Sequence, residues 1–142
     1  MTNEKETGGF EEIEHTADIG LRLKGKDIEE LFENGLKGLL SIVTDNAELS
    51  GYRIRGIKIS APDMESLLID FLNEILFMIN TDAWMPCSGR IQIDGNDLKA
   101  AIKGQKIDPE KAIKKEVKAA TYHNIKIKET SNQLETEIFF DL

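Results

Sequence analysis

The spacing of apolar residues constrains the fold of this chain more than any other sequence feature. Two stretches place apolar residues every three or four positions, which is helical spacing, and both lie before residue 81. One stretch follows Asp27 and the other follows Asp63, so each has an aspartate at the N-cap position. Segments around and after them alternate with period two. This order favours an α+β fold, a single domain with two main helices packed on a mainly antiparallel β-sheet.

The alternating segments predict where the strands lie. Strands are expected over residues 19–24, 52–60, 117–128 and 134–140, with a hairpin that turns at residues 94–97. The alternation changes phase by one residue at Gly56, which predicts a β-bulge there. Gly35 and Gly38 fall inside the first helical stretch, where we expect them to permit close packing.

Composition limits the classes of function. With 142 residues, 40% hydrophobic and 31% charged, the chain is expected to form one domain over residues 9–142 after a flexible tail at 1–8. The net charge of −8 disfavours strong direct binding of nucleic acid and favours metal cations or basic protein surfaces, although lysines between residues 103 and 118 could form a local basic patch. The single cysteine excludes an internal disulfide. No membrane-spanning or signal-peptide pattern is evident, so a cytoplasmic location without a membrane partner is expected.

Carboxylates stand where two strand-like segments end. Asp18 follows a short polar connection, where it is either a ligand or a turn residue bonded to its own backbone. Asp141 lies beside the carboxylate that ends the sequence at Leu142, and such a pair costs energy unless a cation or proton compensates. Leu142 continues the alternation of Ile138 and Phe140, so we expect the end to be anchored. If Asp18 joined this pair, the three oxygen donors would suit Ca²⁺, Mg²⁺ or Mn²⁺ better than zinc.

Lys118 lies at the end of a basic run, in a segment rich in alanine. The alternation places Lys118, Ala120 and Tyr122 on one face of a strand, with small residues that leave space for a partner. The alternative is an ordinary solvated lysine. The sequence contains no phosphate-binding loop, dinucleotide fingerprint or nucleophile elbow, and neither His15 nor His123 has a nucleophile beside it. We therefore do not expect an enzyme.

Four segments of the chain resemble the archease family. They are Glu-His-Thr-Ala-Asp at 14–18, the Leu-Leu to Asn-Glu-Ile-Leu helix at 67–77, Glu-Val-Lys-Ala-Ala-Thr-Tyr-His at 116–123, and the final Phe-Asp-Leu. They occur in the family's order, and the resemblance covers about residues 10–142. Within the helix, Asn73 and Glu74 match the family pattern and are interpreted as structural.

The resemblance implies an activator of an RtcB-type RNA ligase in tRNA splicing, one that promotes ligase guanylylation and multiple turnover. It implies a divalent metal site, with Ca²⁺ favoured over Mg²⁺ or Mn²⁺, at Asp18, Asp141 and Leu142, and a functionally required lysine at Lys118. We call Asp18, Asp141 and the carboxylate of Leu142 the acidic tip. The alternatives are a chaperone or specificity modulator of a tRNA methyltransferase, a metal-dependent hydrolase and, least favoured, a general nucleic-acid-binding module.

Overall fold

The computed structural model describes residues 9–14, 18–45 and 52–142. The tail expected at residues 1–8 lies outside the described residues, and so do His15, Thr16 and Ala17. In chain order the elements are β1 Phe10–Glu14, β2 Ile19–Gly25, α1 Ile28–Val43, β3 Arg53–Ser60, α2 Met64–Asn80, β4 Trp84–Asp94, β5 Asp97–Lys106, α3 Pro109–Ala112, β6 Ala119–Ala120, β7 Lys128–Thr130 and β8 Gln133–Asp141.

The described strands form two sheets, and every pairing in them is antiparallel. The five-stranded sheet has the order β1-β2-β8-β6, and β7 also pairs with β8. The three-stranded sheet has the order β3-β5-β4. The prediction of an α+β domain with two main helices is confirmed, with the addition that the sheet is divided in two and that α3 forms a third, short helix.

Both main helices begin where their N-caps predict. The Asp27 carboxylate accepts a hydrogen bond from the Glu30 N–H at 2.8 Å, and the Asp63 carboxylate accepts one from the Ser66 N–H at 2.7 Å. These bonds satisfy N–H groups that the first helical turn leaves unpaired. In the described part of the chain, no helix has the length and hydrophobicity that a bilayer crossing requires.

One hydrophobic core joins the two helices to both sheets. The helix α1 packs against β2 of the five-stranded sheet and β4 of the three-stranded sheet. A Cβ atom added at Gly38 would lie 3.0 Å from Cδ1 of Leu21, so the absence of a side chain permits this close approach, as the sequence predicted. The helix α2 is buried along most of its length, with apolar side chains at Leu67, Leu68, Ile69, Phe71, Leu72, Ile75, Leu76, Met78 and Ile79.

The bulge predicted at Gly56 is wrong. The pairing of β3 with β5 runs without a register shift from Arg53 opposite Gly104 to Ser60 opposite Asp97. The change of phase arises because Ile54 points outward and is 66% exposed, whereas Ile57 points into the core. The irregularity lies instead in β4 between residues 86 and 88, where proline lacks the N–H that a regular ladder uses.

The continuous strand predicted over residues 117–128 is also wrong. Only Ala119–Ala120 and Lys128–Thr130 are strands, and Asn124 between them has a left-handed φ of 54°. Val117 and Ala120 are both buried, so the expected division into alternating faces does not hold. The hairpin turn at 94–97 is confirmed, with Asp94 opposite Asp97.

Candidate functional site

The pairing of β2 with β8 brings Asp18 close to Asp141. Ile19 is opposite Phe140, and both side chains are buried in the core. The next positions in this register are Asp18 and Asp141, at the end of the paired strands. Directly opposed residues in an antiparallel pair have Cβ atoms about 4.5–5.5 Å apart and share a face of the sheet. By alternation, the register places both residues on the face of the sheet opposite to Ile19 and Phe140, at one corner of the five-stranded sheet.

The acidic tip lies at the surface, but its members differ in exposure. Asp18 is half-buried and its Oδ1 atom is buried, whereas Asp141 is exposed. Leu142 follows the end of β8 and is 45% exposed. The expectation that its side chain anchors the end of the chain is therefore wrong, because the strand pairing stops at Asp141 and does not hold Leu142 against the core.

Lys118 lies on the other side of Asp141. Ala119 of β6 is opposite Asp141, and the Lys118 N–H donates a hydrogen bond of 2.8 Å to the Asp141 carbonyl oxygen. The Lys118 side chain is exposed. The structure thus brings the four residues singled out by the sequence, Asp18, Asp141, Leu142 and Lys118, to one corner of the five-stranded sheet.

The donors of the acidic tip are chemically suited to a hard cation. All are carboxylate oxygens, which Ca²⁺ and Mg²⁺ prefer and which suit zinc poorly. Among residues 9–14, 18–45 and 52–142, the side chains of His, Cys, Asp and Glu form no group of three that could hold a metal. The acidic tip supplies only two such side chains, since its third donor is a main-chain carboxylate. The metal site and the role of Lys118 therefore stay predictions.

Asn73, interpreted as structural from the sequence, is a positioning residue whose partner the sequence did not reveal. Its Oδ1 atom accepts a hydrogen bond from the Ala120 N–H at 2.8 Å, and its Nδ2 atom donates to the Ala120 carbonyl at 3.2 Å. Two turns further along α2, the Asn80 amide donates a hydrogen bond to the Val117 carbonyl at 2.8 Å. The helix thereby holds the backbone on both sides of Lys118. The only sequence signal was an amide, part-buried in the structure, in a helix whose residues are mostly apolar.

We predict that Asn73→Ala loosens this segment. The substitution leaves the Ala120 N–H and carbonyl without their side-chain partners in a part-buried place, which should lower the free energy of unfolding by about 2 kcal/mol. Amide hydrogen exchange at Ala120 should accelerate. The exposed neighbour Glu74, changed to Ala, is the control and should alter neither quantity. Equal exchange rates in the wild type and Asn73→Ala would show that other contacts hold β6.

A hydrogen bond also ties the segment after β6 to α2. The Tyr122 hydroxyl donates to the Asp70 carboxylate, and this bond raises the pKa of Tyr122 above its usual range, with burial and the negative charge of Asp70 adding to the effect. Because the pKa is raised in the folded state, the stabilisation is fully present below the ordinary tyrosine pKa. It is lost as the pH rises through the raised value.

This shift can be measured by ultraviolet titration. The difference in tyrosinate absorbance between the wild type and Tyr122→Phe should have a midpoint above the ordinary tyrosine pKa of about 10. Asp70→Asn should lower that midpoint because it weakens the hydrogen bond to the carboxylate and removes the negative charge. A wild-type midpoint at or below the ordinary value would contradict the Tyr122–Asp70 hydrogen bond.

Comparisons with known proteins agree with the fold and the motifs. The model of the Archease protein family (MTH1598/TM1083) matches residues 10–142. Protein archease of Methanosarcina mazei is 31% identical over 139 residues, which cover 94% of this chain and 95% of the relative. Protein archease of Pyrococcus abyssi is 37% identical over 123 residues, covering 83% of this chain and 87% of the relative.

Two solved structures share the architecture. The solution structure of Methanobacterium thermoautotrophicum protein 1598 superposes with a TM-score of 0.83 at 31% identity, covering 94% of this chain and 99% of that one. The crystal structure of an archease and possible chaperone from Thermotoga maritima has a TM-score of 0.64 at 29% identity, covering 92% of this chain and 94% of that one.

Proposed function

Because the chain belongs to the archease family, we propose that it activates an RtcB-type RNA ligase in tRNA splicing. In this proposal it promotes guanylylation of the ligase and its multiple turnover, in the cytoplasm, and is itself no enzyme. The observation that supports the proposal most is the meeting of Asp18, Asp141 and Lys118 at one exposed corner of the five-stranded sheet. Residues far apart in the sequence are brought together there without forming part of the core.

The acidic tip is proposed to hold a divalent cation, with Ca²⁺ favoured over Mg²⁺ or Mn²⁺. Asp18, Asp141 and the carboxylate of Leu142 would be its ligands, all of them oxygen donors. When bound, such a cation neutralises negative charge and helps to arrange nucleotide phosphates. The binding would also relieve the repulsion between carboxylates that the register of β2 and β8 holds near each other.

The corner is also accessible to a large partner. Lys118, Asp141 and Leu142 are all exposed, so a ligase surface can contact them without unfolding the chain. The Lys118 side chain supplies a positive charge beside the carboxylates, at a place fixed by its backbone hydrogen bond to Asp141. A positive charge beside the negative ones can fix the orientation of the acidic tip on a partner. Complementary charges contribute more to the orientation of two proteins in a complex than to their affinity.

The deletion of Leu142 tests the proposal. The variant removes one proposed ligand and shifts the terminal carboxylate, yet Leu142 lies outside β8 and is half-exposed, so the fold should be kept. With labelled GTP and the cognate ligase, the wild-type protein at substoichiometric amounts should accelerate guanylylation, and the truncated protein should not. Full activation by a folded, truncated protein would show that the acidic tip is not the working part.

The alternatives predict different outcomes. The archease from Thermotoga maritima is described as a possible chaperone, which supports a chaperone or modulator of a tRNA methyltransferase as the second candidate. This function predicts suppression of methyltransferase aggregation that does not depend on Asp141. A metal-dependent hydrolase would show turnover without any ligase present. If the wild-type protein does not accelerate guanylylation but suppresses methyltransferase aggregation, the chaperone function replaces the proposed one. If it instead shows turnover without ligase, the hydrolase function does.

A further inference from the structure

The three-stranded sheet has an outer face that no helix among the described residues covers. Its outward residues alternate with the core-facing ones, and even Gly56 and Ala101 at its centre are exposed. The largest apolar side chains on it, Tyr52 and Ile54, are 82% and 66% exposed. We call the outward residues of this face the basic sheet face; its larger side chains are Tyr52, Ile54, Lys58, Arg90, Lys99 and Lys103.

The charge of this face is opposite to that of the whole chain. Lys58, Arg90, Lys99 and Lys103 are exposed, and none of them forms an ion pair with a described residue. The chain as a whole has a net charge of −8, so an average part of its surface would carry negative charge. The carboxylates on these strands, Asp94 and Asp97, lie at the hairpin end in the row next to Lys58 and Lys99, and neither forms an ion pair with these lysines. A polyanion is therefore the partner that the charge of this face fits.

The pairing of β3 with β5 places two lysines opposite each other. Lys58 and Lys99 are directly opposite each other, and the exposed partners of Lys99 include Gln92 but no carboxylate. Like charges directly opposite in an antiparallel pair destabilise the sheet. Lys103 lies four residues along β5 from Lys99, at roughly 13 Å. The like charges of Lys58 and Lys99 repel each other in the free protein, and anions bound between the lysines would relieve that repulsion.

A groove runs around the edge strand β3 at one end of the face, with Tyr52 and Ile54 on the outward side and Arg55 and Trp84 on the core-facing side. The groove, of about 640 Å³, is lined by Tyr52, Arg53, Ile54, Arg55, Trp84, Gln105 and Lys106. Arg55 lies over the Trp84 ring at 4.7 Å and pairs with Asp82 at 2.7 Å, so one wall of the groove is rigid. Tyr52 on the other side is exposed and offers a free aromatic surface. An exposed aromatic ring beside a row of cations is the arrangement on which unpaired bases stack.

We propose that the basic sheet face binds single-stranded nucleic acid, with phosphates on Lys58, Lys99 and Lys103 and a base stacked on Tyr52. A flat sheet offers no protruding helix or ribbon to enter the major groove of a duplex, which favours single strands. The stacking surface favours a polynucleotide over an acidic protein. The overall negative charge keeps the affinity modest and makes it strongly dependent on salt, in agreement with the expectation that strong binding is absent.

The test uses fluorescence anisotropy of a labelled 12-nucleotide oligouridylate in low salt. The wild type should bind, and the affinity should fall with salt with a log–log slope of about −2, for three contacted phosphates. Lys58→Glu should weaken binding about tenfold. Its thermal stability should not fall, because Glu at this position pairs with Lys99 across the strands. Tyr52→Ala should also weaken binding about tenfold through the loss of stacking.

The matched control is Lys111→Glu, which makes the same change of charge on α3, outside the face. Equal weakening by Lys58→Glu and Lys111→Glu would overturn the proposal, because only the net charge would matter. No binding of the oligonucleotide by the wild type, or equal binding of a poly-glutamate peptide, would overturn it too, the latter in favour of an acidic protein. A DNA oligonucleotide of the same length and sequence distinguishes the two kinds of nucleic acid. Tighter binding of the RNA assigns the face to RNA, and equal binding supports single strands of both kinds.

Discussion

An Asp141→Ala variant is expected to lose Ca²⁺ binding while it keeps its fold. The substitution removes one of the two side chains that are proposed as ligands in the acidic tip, and the affinity of calcium sites depends steeply on the number of charged donors. We expect the dissociation constant for Ca²⁺ to rise at least about 100-fold in isothermal titration calorimetry. The backbone should not change, because the contact that Asp141 makes with Lys118 uses its carbonyl oxygen and not its carboxylate.

The control for this measurement is Glu137→Ala. Glu137 lies on the same strand and loses a carboxylate in the same way, but it pairs with Arg22 at 2.8 Å, away from the tip. An exposed ion pair of this kind contributes about 0–1 kcal/mol to stability, so the control protein should fold and bind Ca²⁺ as the wild type does. Loss of binding in both variants would assign the effect to overall charge, and unchanged binding by Asp141→Ala would remove Asp141 from the site.

The largest loss of stability is expected from Phe71→Ala. Phe71 is fully buried on α2, and its ring centroid lies 5.9 Å from that of Phe32 on α1, so the substitution opens a cavity between the two helices. Substitutions of this kind lower the free energy of unfolding by about 3–5 kcal/mol. Denaturation by urea, followed by circular dichroism, measures the change.

Phe77→Ala provides the comparison within the same helix. Phe77 is 54% exposed, so the same change of side chain removes little buried surface and should shift the free energy of unfolding by less than about 1 kcal/mol. Similar losses for the two variants would show that packing between α1 and α2 does not determine the effect.

The sequence predicted the elements whose signals are local. The caps Asp27 and Asp63, the apolar stripes that follow them and the turn at 94–97 each depend on residues within a few positions, and the structure has them where they were expected. The fold class followed from the order of these elements. The short helix α3 and the division into two sheets were missing, the latter because periodicity shows that a segment is a strand without showing which strand it pairs with.

The errors arose where distant pairing decides the structure. The segment over 117–128 has an apolar pattern, but it bonds to β8 for only a few residues and is otherwise held by side chains of α2, such as Asn73 and Asn80. The phase change at Gly56 reflected exposed apolar residues at Tyr52 and Ile54, which a pattern based on burial cannot separate from a bulge. Neither the contacts of α2 with this segment nor the exposure of Tyr52 and Ile54 can be predicted from the local sequence.

The candidate site, like the fold, was only partly predictable from the sequence. The resemblance to a known family singled out Asp18, Asp141, Leu142 and Lys118 and implied that the first three share a metal site, but the residue pattern alone did not show their proximity. That proximity depends on the pairing of β2 with β8 and of β8 with β6, between strands more than 100 residues apart in the first case. Asn73 escaped notice as a positioning residue because its partner is the backbone of Ala120, and backbone groups leave no trace in sequence.

The most direct test of the proposed function is a time course of ligase guanylylation with labelled GTP, in which the cognate ligase is in excess over wild-type protein or Asp141→Ala. We expect the wild type to accelerate label transfer to the ligase and to act on many ligase molecules, whereas the folded Asp141→Ala variant leaves the rate at that of the ligase alone. Equal acceleration by both proteins would contradict activation through the acidic tip, and no acceleration by the wild type would contradict the ligase-activating function itself.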